Sequence, residues 1–335
     1  MEYGFWNKLR RPFFVLAPMA DVTDAAFRRI IAKRGRPDVF WTEFVSADGL
    51  CSPGRKVLLK DLKFTRKERP IVAQLFSSHP DKMREAARLV AKLGFDGIDI
   101  NMGCPDKSIE KQGAGAAMIK NPESARAIIR ATKEGIVLAR KKIPVSVKTR
   151  IGYNENQIET WIPQILEEGV AALTIHCRTR KEMSLVPARW EHVREVAALR
   201  DRIAPQTLVI GNGDVKDLAD ARAKAVEFGA DGVMLGRAIF GNPWLFSELH
   251  TKDGKPYVPT LEERLDTLVK HTRLYEKLLG DVKSFAVMKK HFKAYVSNFV
   301  DANHLRLQLM ECHDSKGMKR EIKAFLKARK ASDTI

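Results

Sequence analysis

Eight short β-rich runs, each followed by a helical or loop stretch, fill the chain up to about residue 245 of 335. The runs cover 13–17, 39–44, 70–75, 97–101, 144–149, 171–176, 207–212 and 231–235. Amphipathic helical patterns lie between them at 24–33, 80–93, 122–141, 155–168, 190–199 and 216–228. Eight strand–helix units in this length are the count and size of a (β/α)8 TIM barrel. Periodicity alone does not separate a closed barrel from a doubly wound open sheet. The strand count, and the lack of a G-x-G-x-x-G after the first run, favour the barrel. Punctuation agrees with the helices. Pro80 and Pro122 stand at helix starts, and Gly35, Gly94, Gly169 and Gly229 follow helix ends, where left-handed caps are expected.

Past residue 245 the pattern changes. A turn-rich linker, 252–256, leads into helical stretches at 261–279 and 282–300, then a tail of short helices to Lys330. The expected organisation is a catalytic barrel over 1–245 and a small all-helical domain over 246–335. Phe285, Met288, Phe292, Tyr295 and Phe299 recur at helical spacing and read as core. Lys283, Lys289, Lys290 and Lys293 fall on the rest of that helix.

Charge narrows the choice of partner. The net charge is +18, with 44% apolar and 30% charged residues, so a sizeable core coexists with a basic surface. Residues 251–335 carry +7 and the preceding 250 residues carry +11, so the tail is about twice as positive per residue. That distribution points to a polyanion, with Lys289 and Lys290 as candidate phosphate contacts. No run reaches the roughly 18 apolar residues of a membrane span. The first residues do not read as an export signal, so a cytoplasmic protein is expected. The four cysteines, Cys51, Cys104, Cys177 and Cys312, form no C-x-x-C pair. Neither a metal site nor a disulfide framework is expected.

The strand ends carry the chemistry. In a barrel they face the active site. In order they are Ala17-Pro18-Met19-Ala20, Glu43, Gln74, Asn101, Lys148, His176, Asn212 and Gly236. Six polar ends at one rim are costly to bury without partners. The loops after the seventh and eighth runs, Gly211-Asn212-Gly213-Asp214 and Gly236-Arg237, resemble the usual barrel phosphate site. Lys148 and His176 suit a flavin, whose reduced ring carries negative charge. The fourth run ends in Asp99-Ile100-Asn101-Met102-Gly103-Cys104-Pro105. On this heptapeptide alone Cys104 is either a core thiol or a reactive one. At the rim, a thiol protonated near neutral pH can serve as a general acid.

These segments, with Gln74-Leu75-Phe76, Val147-Lys148-Thr149-Arg150, His176-Cys177-Arg178-Thr179-Arg180 and Gly241-Asn242-Pro243-Trp244, occur in one order from residue 17 to 244. Together they closely resemble the tRNA-dihydrouridine synthases, which reduce uridine to 5,6-dihydrouridine in tRNA. Weaker similarity continues at Met288-Lys289-Lys290-His291 and Tyr295. The resemblance implies an FMN-bound barrel, a helical tRNA-binding domain and NADPH as electron donor. It places Pro18, Met19, Gln74, Lys148, His176, Asn212, Asp214, Gly236 and Arg237 around FMN. It makes Cys104 the proton donor to C5 of uracil, with hydride from the reduced flavin to C6. Asn101 would contact the flipped base, and Arg178 the substrate or the flavin phosphate. A monomer is expected.

Two departures from the family pattern concern one loop. Cys177 stands where a glycine is usual, and its thiol either fills space or crowds the loop. Residues 181–190 lack the glycine and tyrosine often found there. Two other functions are weighed. A flavin barrel reducing a free pyrimidine would not need the +18 charge or the basic tail. A tRNA-binding, chaperone-like barrel would not need Cys104 and the flavin rim together.

Overall fold

The computed structural model describes residues 3–332, so the outer ends of the two expected domains, 1–2 and 333–335, lie outside the described residues. All eight expected strands form: β1 (Phe13–Leu16), β2 (Phe40–Ser46), β3 (Ile71–Phe76), β4 (Gly97–Met102), β5 (Val145–Arg150), β6 (Ala172–His176), β7 (Leu208–Asn212) and β8 (Gly232–Leu235). Every pairing is parallel, in the order β1-β8-β7-β6-β5-β4-β3-β2. The two ends of that order meet. Val15 bridges Val39 in parallel. The Asp38 N–H donates to Phe14 O at 2.9 Å, and the Leu16 N–H to Val39 O at 3.3 Å. The sheet is a closed barrel, and the open-sheet alternative falls.

The strands are buried on both faces, as parallel strands under helices must be. A cluster of Trp6, Phe13, Trp41, Val72, Ala172 and Leu208 fills the interior at the strand starts. The Trp6 ring lies 5.5 Å from Phe13 and 6.0 Å from Trp41. This plug closes one end and leaves the strand C-termini free for chemistry.

The helices in chain order are α1 (Ala25–Arg34), α2 (Ala47–Leu50), α3 (Arg55–Leu58), α4 (Pro80–Leu93), α5 (Lys107–Glu110), α6 (Pro122–Leu138), α7 (Ile158–Leu166), α8 (Glu191–Ile203), α9 (Leu218–Phe228), α10 (Leu261–Leu279), α11 (Ala286–Tyr295), α12 (Ala302–Met310) and α13 (Ser315–Ser332). Asn121 caps α6 by accepting from the Ser124 N–H at 3.1 Å. α4 and α6 pack so closely that a Cβ on Gly135 would stand 2.2 Å from the Arg84 carbonyl oxygen.

The chain divides into two compact units. The first holds the barrel to Arg237. The second gathers Asp21–Arg36, Lys63–Lys67 and the chain from Ala238 onward. The division thus falls at 237/238 rather than the expected 245/246, and α1 joins the C-terminal helices. The reason lies in the second unit's core. Phe27 of α1 stacks on His271 of α10 at 4.8 Å and meets His291 of α11 edge-on at the same distance. His271 and His291 are themselves 4.6 Å apart. Both are fully buried, and none of their ring nitrogens has a hydrogen-bond partner among the described residues.

Three local expectations are corrected. Gly94, Gly169 and Gly229 adopt left-handed φ values of 85°, 63° and 70°, but Gly35 is extended. Gly35 is needed for space: a Cβ there would lie 2.7 Å from the Ser247 nitrogen. The helix expected over 282–300 is only α11, ending before Asn298 and Asp301, which take φ values of 61° and 63°. The tail to Lys330 is not a set of short helices, because α13 alone runs 18 residues.

Gly135→Ala should destabilise the protein by about 1–3 kcal/mol in urea unfolding, since the new methyl meets backbone. The His271–His291 pair sets a pH dependence. Burial holds His271 well below its ordinary value and His291 at about 3. The unfolded chain therefore binds protons below about pH 6.5 that the folded chain does not, and stability falls as pH falls through that point. Unfolding at pH 5.5 against 7.5 should show a loss of about 1.4 kcal/mol from each histidine, reduced in His291→Phe.

Candidate active site

The C-terminal strand ends surround a cavity of about 320 Å³. Pro18, Met19, Lys148, His176, Arg178, Asn212, Asp214, Gly236 and Arg237 all line it, as do Pro105 and the unforeseen Arg150, Met183 and Ser184. Gln74 and Asn101 are buried beside it, at 0% and 7% exposure, and connect it to the Cys104 loop. Lys289 and Lys290 belong to α11 in the second unit. Lys289 Nζ donates to the Met310 carbonyl at 2.6 Å, and Lys290 pairs with Asp21 at 3.5 Å.

One side of the cavity is an arginine-rich cradle after β6, β7 and β8. Asp214 bridges Arg178 and Arg237 and also accepts the Ala188 N–H at 2.9 Å. Burial alone would raise its pKa. The Ala188 N–H and the Arg178 charge outweigh that and hold the carboxyl below its ordinary range. Arg178 Nη1 lies 3.1 Å from His176 Nε2. A guanidinium only donates, so Nε2 accepts and the imidazole proton sits on Nδ1. Burial, then the charges of Lys148, Arg150 and Arg178, keep His176 neutral by driving its pKa well below the ordinary value.

The Lys148 ammonium makes no hydrogen bond or ion pair among the described residues. Burial and the neighbouring Arg150 push its pKa down to about 8. An unpaired ammonium at a strand end, with Arg150, Arg178 and Arg237 on the same wall, calls for an anionic or strongly accepting ligand. Asp214 is the one acidic side chain in that lining. The wall suits a phosphate-bearing flavin, with the arginine cradle for a phosphate and the Lys148 ammonium for an electron-rich ring edge.

The Cys104 loop is held from two sides. Asn101 Oδ1 accepts the N–H groups of Gly103 at 3.1 Å and Cys104 at 2.9 Å. Arg150 Nε donates to Gly103 O at 2.7 Å, while its Nη1 donates to Thr179 O and Met183 O at 3.0 and 3.1 Å. The thiol packs against the cluster of Phe76, Ile109 and Ala114. Burial raises its pKa above the ordinary thiol value, so it is held as S–H. Arg150 was overlooked in the sequence, although alternation places it on the Lys148 face.

A model of the family described as "Dihydrouridine synthase (Dus)" matches residues 15–330. The chain is 43% identical over 313 residues to a probable tRNA-dihydrouridine synthase of Staphylococcus aureus (strain MRSA252), covering 92% of each chain. It is 40% identical to the probable tRNA-dihydrouridine synthase 2 of Bacillus subtilis (strain 168), covering 97% of this chain and 96% of that one. The chain belongs to the dihydrouridine synthase family. Among solved structures, a 2-naphthoyl-CoA reductase complex shares the fold, with a TM-score of 0.51 and 12% identity over 70% of this chain and 49% of that one.

The two departures from the dihydrouridine synthase pattern are accommodated locally. Cys177 is fully buried, with its pKa raised to about 12 by that burial. Its N–H still donates to Asn212 O at 3.0 Å and its carbonyl accepts from the Arg189 N–H at 2.9 Å. The thiol fills space and leaves the loop's bonds intact. In residues 181–190, Glu182 pairs with Arg189 through contacts of 2.7 and 2.9 Å and accepts the Thr179 N–H at 2.7 Å. An ion pair thus ties the segment down.

Iodoacetamide reacts with thiolate, so Cys104 alkylation should be slow at pH 7 and still climbing at pH 9. Cys177 should stay unmodified until the protein unfolds. Peptide mass mapping across pH checks both, and a plateau for Cys104 at pH 7 would contradict the raised thiol.

Proposed function

We propose that the protein reduces uridine in tRNA to 5,6-dihydrouridine, using FMN held in the barrel cavity and NADPH as electron donor. The observation that carries this reading is the Cys104 thiol, its pKa raised by burial, on a restrained loop beside a cationic cavity, in a chain of the dihydrouridine synthase family. When bound against this wall, a flavin would supply the hydride for C6 of the uracil.

The chain's own residues do the rest. Arg178, Arg237 and the turn at Asp214 bind the phosphate. Pro18, Met19, Asn212 and Gly236 shape the wall against the ring. Lys148 binds the pyrimidine edge and stabilises negative charge there, while Gln74 holds the Asn101 amide from β3. His176, neutral with its proton on Nδ1, offers a donor rather than a second charge. Asn101 orients the uracil. Cys104 Sγ–H delivers its proton to C5, and the resulting thiolate is reprotonated from solvent. The substrate base must leave its stack, since a paired uracil cannot reach a strand-end cavity. The helical unit, with Lys289 and Lys290 on α11, holds the tRNA backbone, so binding weakens as salt rises. Because tRNA is the substrate, we place the enzyme in the cytoplasm, and we propose that it acts as a monomer without a metal.

The test is dihydrouridine mapping in tRNA from cells lacking the gene, complemented with wild type or Cys104→Ala. One or a few uridines should lose modification. Wild type should restore them, and Cys104→Ala should lower the rate by at least the 10²–10⁴-fold that general acid catalysis contributes. Full restoration by Cys104→Ala would remove the acid role. The purified protein should also be yellow, whereas a chaperone-like barrel would be colourless.

A further inference from the structure

We propose that Asp99 is a positioning residue for Cys104, setting the direction of the Asn101 amide through Gln74 and so holding the backbone of the thiol loop. The proposal rests on the reading of Cys104 as the proton donor. Asp99 is fully buried on β4, two residues before Asn101 and therefore on the same face of the strand. Its Oδ2 accepts from Gln74 Nε2 at 2.6 Å and its Oδ1 accepts from Ser146 Oγ at 2.5 Å. Gln74 Oε1 accepts from Asn101 Nδ2 at 3.2 Å. Asn101 Oδ1 is then left for the N–H groups of Gly103 and Cys104.

The logic is one of donors and acceptors. A side-chain amide can turn half a revolution and exchange its oxygen and nitrogen with almost no change in shape. Two such amides in series, Gln74 and Asn101, could face either way. A carboxylate only accepts, so Gln74 must offer Asp99 its NH2. That leaves the Gln74 oxygen for Asn101, which must offer its own NH2. The Asn101 oxygen is thereby directed at the two backbone donors of the loop. The reversed order would keep a bond between Gln74 and Asn101 but set the Gln74 oxygen against the Asp99 carboxylate and the Asn101 NH2 against the two loop N–H groups, losing the bonds at both ends of the chain. Donors and acceptors match at each step across β3, β4 and β5.

The surroundings keep Asp99 an acceptor. Gln74 faces it from β3, and Ser146 and the Lys148 charge face it from β5. The buried Trp41 indole N–H on β2 also faces it, without closing a hydrogen bond. Burial raises its pKa, to about 6 against the opposing effect of these groups. At pH 8 it is ionised.

The experiment follows Cys104 rather than turnover alone. Iodoacetamide labelling at pH 8, read on the Cys104 peptide of the purified enzyme, should be at least threefold faster in Asp99→Leu, because a loosened loop exposes the thiol. Asp99→Asn can still present an oxygen to Gln74 and an NH2 to Ser146, so it should stay within twofold of wild type. In an Asn101→Ala background, adding Asp99→Leu should change the rate less than twofold. Uridine reduction in a single turnover should fall about tenfold in Asp99→Leu and be rescued in Asp99→Asn. An unchanged labelling rate in folded Asp99→Leu overturns the proposal. So does a loosened Cys104 in Asp99→Asn, which remains decisive if leucine prevents folding. So does an undiminished Asp99→Leu effect without Asn101. If labelling behaves as expected but wild type reduces no uridine, the proposed reaction fails and the positioning chain stands.

Discussion

Closure of the sheet between Phe14 and Asp38 is the constraint on which the site depends. Seven strand pairs would leave a free edge at β1 and another at β2. The Asp38 N–H donates to Phe14 O, and the Asp38 carboxylate accepts the Phe14 N–H at 2.7 Å, tying the chain entering β2 to β1. With no edge left, all eight C-termini stand around one rim. Lys148 on β5, Asn212 on β7 and Gly236 after β8 can therefore line one cavity although they are far apart in sequence. The aromatic plug of Trp6, Phe13 and Trp41 fills the opposite end, which leaves the rim as the end where polar groups gather.

What gathers there is mostly positive charge. Collecting Lys148, Arg150, Arg178 and Arg237 on one wall raises the energy of each. The structure responds in three different ways. Arg178 and Arg237 share Asp214. Arg150 spends its donors on the carbonyls of Gly103, Thr179 and Met183, with burial lowering its pKa to about 10. Lys148 has neither kind of partner, so burial shows in its pKa of about 8. The group with least protein compensation gains most from an accepting ligand, which makes Lys148 the strongest local argument for an electron-rich ring.

Much of this was legible in the sequence because it depends on period and order. Short apolar runs gave all eight strands, and the ends of the first, fifth, sixth, seventh and eighth runs lie in the cavity lining, whereas Glu43, Gln74 and Asn101 do not. The legible part ends where long-range packing decides. Nothing local to 24–34 says that α1 packs with α10 and α11, since that depends on Phe27 meeting His271 and His291. Nothing local to 282–300 announces that left-handed residues at Asn298 and Asp301 interrupt the helix. Gly35 resembles any capping glycine until Ser247 and Trp244 are placed against it. Arg150 is different: its alternation with Lys148 was visible, and only its three carbonyl partners were not.

The same distinction explains why the heptapeptide containing Cys104 is ambiguous when read alone. A half-buried thiol packed against Phe76, Ile109 and Ala114 has surroundings like those of a core cysteine. Those apolar contacts raise its pKa and keep the proton on sulfur. In the proposed reaction a donor to carbon needs that proton retained until the base arrives, so the core reading and the reactive reading are compatible with one arrangement. What burial cannot supply is aim. Aim comes from hydrogen bonds to the loop backbone, from Asn101 on one side and Arg150 on the other. Each of these is fixed by groups on neighbouring strands, so the closed barrel determines where the thiol points, and the apolar cluster beside it determines that the thiol is still protonated.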